Sequence, residues 1–388
     1  MRHRVMRTIA GLLGLMMLMT GTARADGAPG VTDDEILLGG VFALSGQFRF
    51  VTEFYERGVR AVIDATNEAG GVHGRKIKWV VEDDAYQPAK SLAAAKKLIE
   101  RDEVFAIVGQ VGTPGMAAIL PYTEKMRTPV VTSGPMPPPT PKYAFNIMAN
   151  FGDLTYHLAK HLIKTEGVTK LGYLYQNDDL GEMGRRGLEK ALKELNVELA
   201  VDVGYERGAN DLSTQVLKLR DGGAEAVIAM ATAPAIATAM KHADTIGFET
   251  IWATHGAIGT NVVHKLLGDK VDGLMFASEM ESQFADTPGM QAALEVVHRS
   301  FPEAEIDFNL LLGYATGKVA IAGLEAAGRD LTREKFVEAI SSFDSLDADV
   351  LPLRYGVEKH NGAKGVKIYR WVDGKPTALT DWLPLEAK

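Results

Sequence analysis

Cysteine is absent from the 388 residues. That excludes disulfide staples, thiol catalysis and a lipid anchor on an N-terminal cysteine. Positive charge is not in excess either: 42 Lys and Arg stand against 50 Asp and Glu, a formal net charge of −8. Nucleic acid rewards clustered Lys and Arg along its phosphates, so no nucleic-acid partner is expected. The sequence holds no G-x-S-x-G elbow, no G-x-x-x-x-G-K-[ST] loop, no H-E-x-x-H and no dinucleotide fingerprint. Enzymes built on those devices are excluded, and no cofactor is expected. After the first residues no run reads as long and apolar enough to cross a bilayer, so no stable membrane insertion is expected.

The first residues read as a leader. Arg2, Arg4 and Arg7 precede an apolar stretch from Ile9 to Met19, and Ala23-Arg24-Ala25 offers the small-x-small pattern of a signal-peptidase site. Export with cleavage after Ala25 is therefore expected, and losing the leader's arginines makes the chain more acidic still. A retained anchor would need roughly 18 apolar residues, more than this run supplies.

From Ile36 onward, short β-branched runs alternate with amphipathic stretches, the pattern of parallel sheets covered by helices on both faces. Strands are expected at Ile36 to Leu44, Ile77 to Glu82, Phe105 to Val108 and Pro129 to Thr132, then at Lys170 to Tyr175, Val197 to Tyr205, Ala226 to Ala231 and Thr250 to Thr254. Between them, apolar residues at helical spacing, such as Leu188, Ala191, Leu192 and Leu195, mark faces that pack on the sheets. Val104 to Ile119 and Ala224 to Met240 share one design: strand, small-residue turn, proline near the helix start, then an Ala/Met-rich helix. Two such arrays in tandem predict an α/β protein of two doubly wound parallel-sheet lobes with a crevice between them.

The last third reads differently. A strand at Leu274 to Ala277 precedes long helical stretches, about 287–300 and 310–328, and a helix after Thr332. A final β pair, Leu353 to Val357 and Val366 to Val372, is expected around the Asn361-Gly362 turn. Too short for a third lobe, this tail completes the first two, so the chain crosses between lobes more than once.

Gly112 and Thr113 follow a buried strand and open a helix. Free N–H groups and a hydroxyl there favour an anion such as a carboxylate, while the same residues also make a turn and an N-cap. Thr232 occupies the corresponding turn of the second array, with the same two readings. Phe48 and Phe50 follow the first strand and serve either a ligand or the lobe's own packing. His157 and His161 are one turn apart, but no third ligand with suitable spacing accompanies them; they read as a solvated helix face, and no metal is expected. Asp83-Asp84 and Asp178-Asp179 read as turns and caps.

The segments GGVFALSGQFRF (Gly39 to Phe50), NEAGGVHGRKIKWVVEDDAYQPAKSLAAAKKLIERDEVFAIVG (Asn67 to Gly109) and YQNDDLGEMGRRGLEKAL (Tyr175 to Leu192) resemble the leucine/isoleucine/valine-binding proteins, type I periplasmic binding proteins of ABC transporters. The likeness runs in order from about Glu35 to Trp382, most specifically in the first lobe. It implies a monomeric periplasmic protein that closes two lobes over a small molecule and presents the closed form to a transporter permease. The implied lobes are residues 35–148 with 280–351 and residues 149–279 with 352–384, hinged near Met148 to Asn150, Ser278 to Glu281 and Leu351 to Leu353. The resemblance also implies that Thr113, beside Gly112, holds the ligand carboxylate and that Ser133 and Gly134 contact the ligand.

Four positions depart from the family pattern. Met136 stands where a small hydroxyl residue is usual, and Leu180 where tyrosine is common. Phe151 and His255 stand where the family places acids that neutralise a ligand ammonium, with Asp153 two residues from Phe151. A buried cation without a partner costs several kcal/mol. An apolar or aromatic carboxylate therefore fits at least as well as a branched-chain amino acid. One rival, a sensor that shows its closed form to a receptor, shares fold and cleft. Another, a cytoplasmic regulator, lacks a helix-turn-helix segment and is at odds with the leader.

Overall fold

The alternating pattern becomes, in the computed structural model, two sheets joined by three passages of the chain. The structure describes residues 27–385 apart from 47, 135, 137–140 and 259–260. The leader, with its cleavage site, lies outside the described residues.

The first sheet takes β1 (Glu35–Phe42), β2 (Lys76–Asp83), β3 (Ala106–Gln110), β4 (Val130–Thr132) and β5 (Ala144–Asn146), all parallel in the order β2-β1-β3-β4-β5. The second contains β6 (Leu171–Gln176), β7 (Leu199–Tyr205), β8 (Ala226–Met230), β9 (Ile251–His255) and β10 (Met275–Ser278), parallel in the order β10-β9-β8-β6-β7. A two-residue pair, β11 (Leu346–Asp347) and β12 (Pro352–Leu353), stands apart, and β13 (Gly365–Val372) and β14 (Lys375–Ala378) extend the second sheet antiparallel from β10. Fully buried parallel strands read as unbroken apolar runs, which is why β3 and β8 were legible.

The helices follow in kind. The first sheet's crossovers are α1 (Arg49–Glu68), α2 (Pro88–Lys96) and α3 (Thr113–Lys125); α4 (Phe151–Lys164) leads from β5 into the second sheet, whose crossovers are α5 (Asp179–Leu195), α6 (Ser213–Asp221), α7 (Ala233–Thr245) and α8 (Asn261–Leu267). The prolines Pro114 and Pro234 sit at the starts of α3 and α7, where a missing N–H costs nothing. The last third supplies α9 (Pro288–Ser300), α10 (Phe308–Ala327) and α11 (Arg333–Ser341), and α9 and α10 return to pack on α1. Glycines allow α1 and α10 to touch: a Cβ on Gly58 would sit 2.0 Å from the Leu310 carbonyl oxygen, and one on Gly313 2.0 Å from that of Tyr55.

Two expectations change. Helix α10 is long and apolar enough to cross a membrane by length and composition, with 20 residues and a mean hydropathy of 1.2, contrary to the sequence reading. It is buried over 72 % of its apolar window and packs on α1, β3 and β4, so it is apolar all round because it is a core helix. The expected terminal hairpin does not form either. β13 pairs with β10 and β14, while residues 360–362 run beside β5, where the N–H of Asn146 donates to the His360 carbonyl at 2.8 Å and that of Gly362 to the Asn146 carbonyl at 2.7 Å. Strand pairing satisfies more backbone groups than one turn signal can promise.

Candidate functional site

In an α/β sheet the strands' carboxyl ends carry the loops that meet a ligand. Here the carboxyl ends of the two sheets face each other across a cleft. Gly112, Thr113, Ser133, Gly134, Phe151, Leu180, Thr232 and His255, all singled out from the sequence, line it together.

The first sheet supplies the polar floor. Gly112 has φ 109°, a backbone that disfavours side chains, and a Cβ there would lie 2.7 Å from Cε2 of Tyr86. Thr113 is the first residue of α3 and is buried, one position past the N-cap, which is Gly112 and has no side chain. The N-cap reading of its hydroxyl is thus not realised. Gly134, by contrast, has its N–H engaged: it donates to the Thr132 hydroxyl at 2.8 Å, which itself donates to the Gln110 carbonyl at 2.7 Å. The acidic pair Asp83-Asp84 builds the neighbouring turns. Asp83 accepts from the Leu44 and Ala85 N–H groups, both at 2.9 Å, and from the Ser45 hydroxyl at 2.6 Å; Asp84 accepts from the Tyr86 N–H at 2.8 Å. Asp178 caps α5 through the Leu180 N–H at 3.0 Å.

The second sheet supplies an apolar roof. Phe151 lies 4.5 Å from His255, ring centroid to centroid. His255 is buried with neither ring nitrogen partnered, and burial pushes its imidazole down to about 4, so it is neutral at neutral pH. Thr232 opens α7 with no side-chain cap, and its N–H donates to the Tyr205 hydroxyl at 3.2 Å. Ile258 adds to this roof, while Val51 of α1 and Leu312 of α10 add apolar contacts from the first sheet's side. Among the described residues, no Asp or Glu lines the cavity.

Three expectations are corrected. Met136 does not face this cleft. It is buried in an apolar cluster of the first sheet and borders a different cavity, which Asp153 also lines, so Asp153 does not replace the missing acid at Phe151. Phe50 packs on the apolar cluster of the second sheet, and the cleft is lined by Phe48 instead, because Phe48 precedes α1 while Phe50 is already wound into it. His161 is not solvated: its side chain is 8 % exposed, with Nε2 3.3 Å from Glu166.

Sequence reasoning missed Tyr86, Asn309 and Leu312 as lining residues. Tyr86 follows the carboxyl end of β2, a place the sheet-edge rule alone could have flagged. Asn309 and Leu312 start α10, which no local signal ties to the cleft.

Comparison with known proteins places this geometry. A family model described as "Periplasmic binding protein" matches residues 35–376. The "Leu/Ile/Val-binding protein homolog 8" of Brucella abortus (strain 2308) is 21 % identical over 362 residues, covering 88 % of this chain and 89 % of the relative. Among solved structures, a fatty acid ABC transporter substrate-binding protein from Thermomonospora curvata superposes with a TM-score of 0.85 at 22 % identity, covering 93 % of this chain and 95 % of its own. A branched-chain amino acid ABC transporter from Thermus thermophilus with bound valine has a TM-score of 0.84 at 19 % identity, covering 92 % and 98 %.

Proposed function

Since this chain belongs to the periplasmic binding protein family, whose members bind solutes and are not enzymes, we propose that it captures a small apolar or aromatic carboxylate by closing its lobes. The observation that carries the reading is the cavity's charge balance. Helix α3 offers N–H groups and the Thr113 hydroxyl to an anion, while the opposite wall holds a neutral His255 and no carboxylate. An α-ammonium buried there lacks a partner, which costs several kcal/mol. The Thermomonospora curvata neighbour, by its name a fatty acid binder, is in keeping with an acid that carries no amine. A branched-chain amino acid is the competing ligand.

In this reading the protein is a periplasmic monomer, freed from its leader after Ala25, and its closed form docks on an ABC transporter permease. The lobes are residues 35–148 with 280–351 and residues 149–279 with 352–384, except that the hydrogen bonds of His360 and Gly362 to Asn146 of β5 favour moving residues 360–362 to the first. A ligand tilts the open and closed populations only through its different affinity for each, so contacts to both lobes are required.

The test is a matched pair. Leucine and 4-methylpentanoate differ by the α-ammonium alone, and calorimetry on the full chain measures both. The acid is expected to bind at least about tenfold tighter, the equivalent of about 1.4 kcal/mol. Tighter binding of leucine would refute the reading.

A further inference from the structure

The rings of Phe48 and Tyr86 stack 4.3 Å apart at 27°. Together they stand between the apolar cavity and an outer compartment of mixed lining, with Gln176, Tyr205, Arg207, Pro234 and Ala235 among its walls, since both spaces share these two rings and Thr232. Tyr86 belongs to the first sheet by its backbone. Ala85 and Tyr86 take the left-handed conformation, with φ 49° and 59°, and the buried Asp84 carboxylate holds them there, accepting the Tyr86 N–H at 2.8 Å and the Ser91 hydroxyl at 2.6 Å. Two successive non-glycine residues in that region persist only where the surroundings enforce them. The ring they aim lies on Gly112, at the start of α3.

Tyr86 belongs to the second sheet by its hydroxyl and its face. The Gln176 amide donates to the hydroxyl at 3.3 Å, and the Arg207 guanidinium carbon lies 5.7 Å from the ring centroid. Both partners are fixed by Asp178, which accepts from Gln176 at 2.6 Å and from Arg207 Nη2 at 2.6 Å. Separating the sheets breaks this second set of contacts and leaves the first intact.

We propose that Tyr86 is a specificity-determining residue with two duties, the wall that limits ligand length and the latch that Gln176 and Arg207 hold when the lobes close. The inference rests on the lobe-closure reading. The two duties divide between two substitutions: Tyr86→Phe keeps the wall and removes the hydroxyl, whereas Tyr86→Ala removes both and joins the two compartments.

The experiment uses the full chain, whose lack of cysteine allows spin labels at Lys125→Cys in α3 and Lys193→Cys in α5, both exposed. Inter-label distances are measured with and without hexanoate and octanoate, and dissociation rates by stopped flow. Wild type is expected to shorten its distance with hexanoate. Tyr86→Phe should release hexanoate about three- to tenfold faster, as loss of one neutral hydrogen bond requires, with the same hexanoate-over-octanoate preference. Tyr86→Ala should gain about tenfold in octanoate affinity relative to hexanoate, as added methylenes find room. If neither acid shortens the wild-type distance, lobe closure on such acids fails and the latch with it. If wild type closes but the Phe variant releases hexanoate at the wild-type rate, or the Ala variant keeps the length limit, the assignment of Tyr86 is overturned and lobe closure stands.

Discussion

Replacing Thr113 by alanine separates a ligand-binding hydroxyl from a structural one. The side chain is buried and makes no cap on α3, so the folded protein without ligand loses little when it is truncated. A working N-cap would behave differently, since its loss costs about 1 kcal/mol of stability and, in a domain of 150–250 residues, about 2–4 °C in melting temperature. Against a bound carboxylate the hydroxyl would donate a charge-assisted hydrogen bond, worth about 1.5–3 kcal/mol. The expected loss of affinity for 4-methylpentanoate is therefore between about 10-fold and 150-fold, with melting of the free protein unchanged. Calorimetry and a thermal scan of the same variant read the two quantities, and Thr113→Ser, which restores the hydroxyl, should recover most of the affinity. Undiminished affinity in Thr113→Ala, or a melting temperature that falls while affinity holds, would refute the argument.

Two further outcomes are expected. Met136 is buried but outside the cleft, so Met136→Ala should lower stability by about 2–5 kcal/mol and leave ligand affinity unchanged, as denaturant titration and calorimetry together reveal. Glu279, just after β10, is buried with both carboxylate oxygens unpartnered, and burial pushes its carboxyl up to about 8. Because the folded value is raised from 4.5, the stability tied to the protonated form is complete below pH 4.5 and is lost as pH rises to 8. His255 runs the other way, losing stability as pH falls from 6.5 to about 4, and it is common to wild type and variant. Glu279→Gln should thus match wild type at pH 4.5 and melt at a higher temperature at pH 8; equal melting at both would contradict the buried, protonated carboxyl.

Much of the fold was legible because its signals are local. The eight strands expected first, β1 to β4 and β6 to β9, announced themselves by short β-branched runs, and Pro114 and Pro234 marked two helix starts. β5, only three residues long, and β14, with little buried surface, had no such run and went unread. The cleft was half legible for a related reason. Gly112, Thr113 and Thr232 follow strand ends, where the fold class alone sends ligands, whereas Asn309 and Leu312 sit on a helix remote in sequence.

By itself, the order of residues determined two parallel sheets and their helices, since periodicity and side-chain chemistry act over a few positions. Only the folded chain decided that Phe48 rather than Phe50 faces the cleft, that Met136 leaves it, and that Tyr86 bridges the two sheets. Those choices depend on which backbone turns bring distant segments together, and no local pattern encodes that.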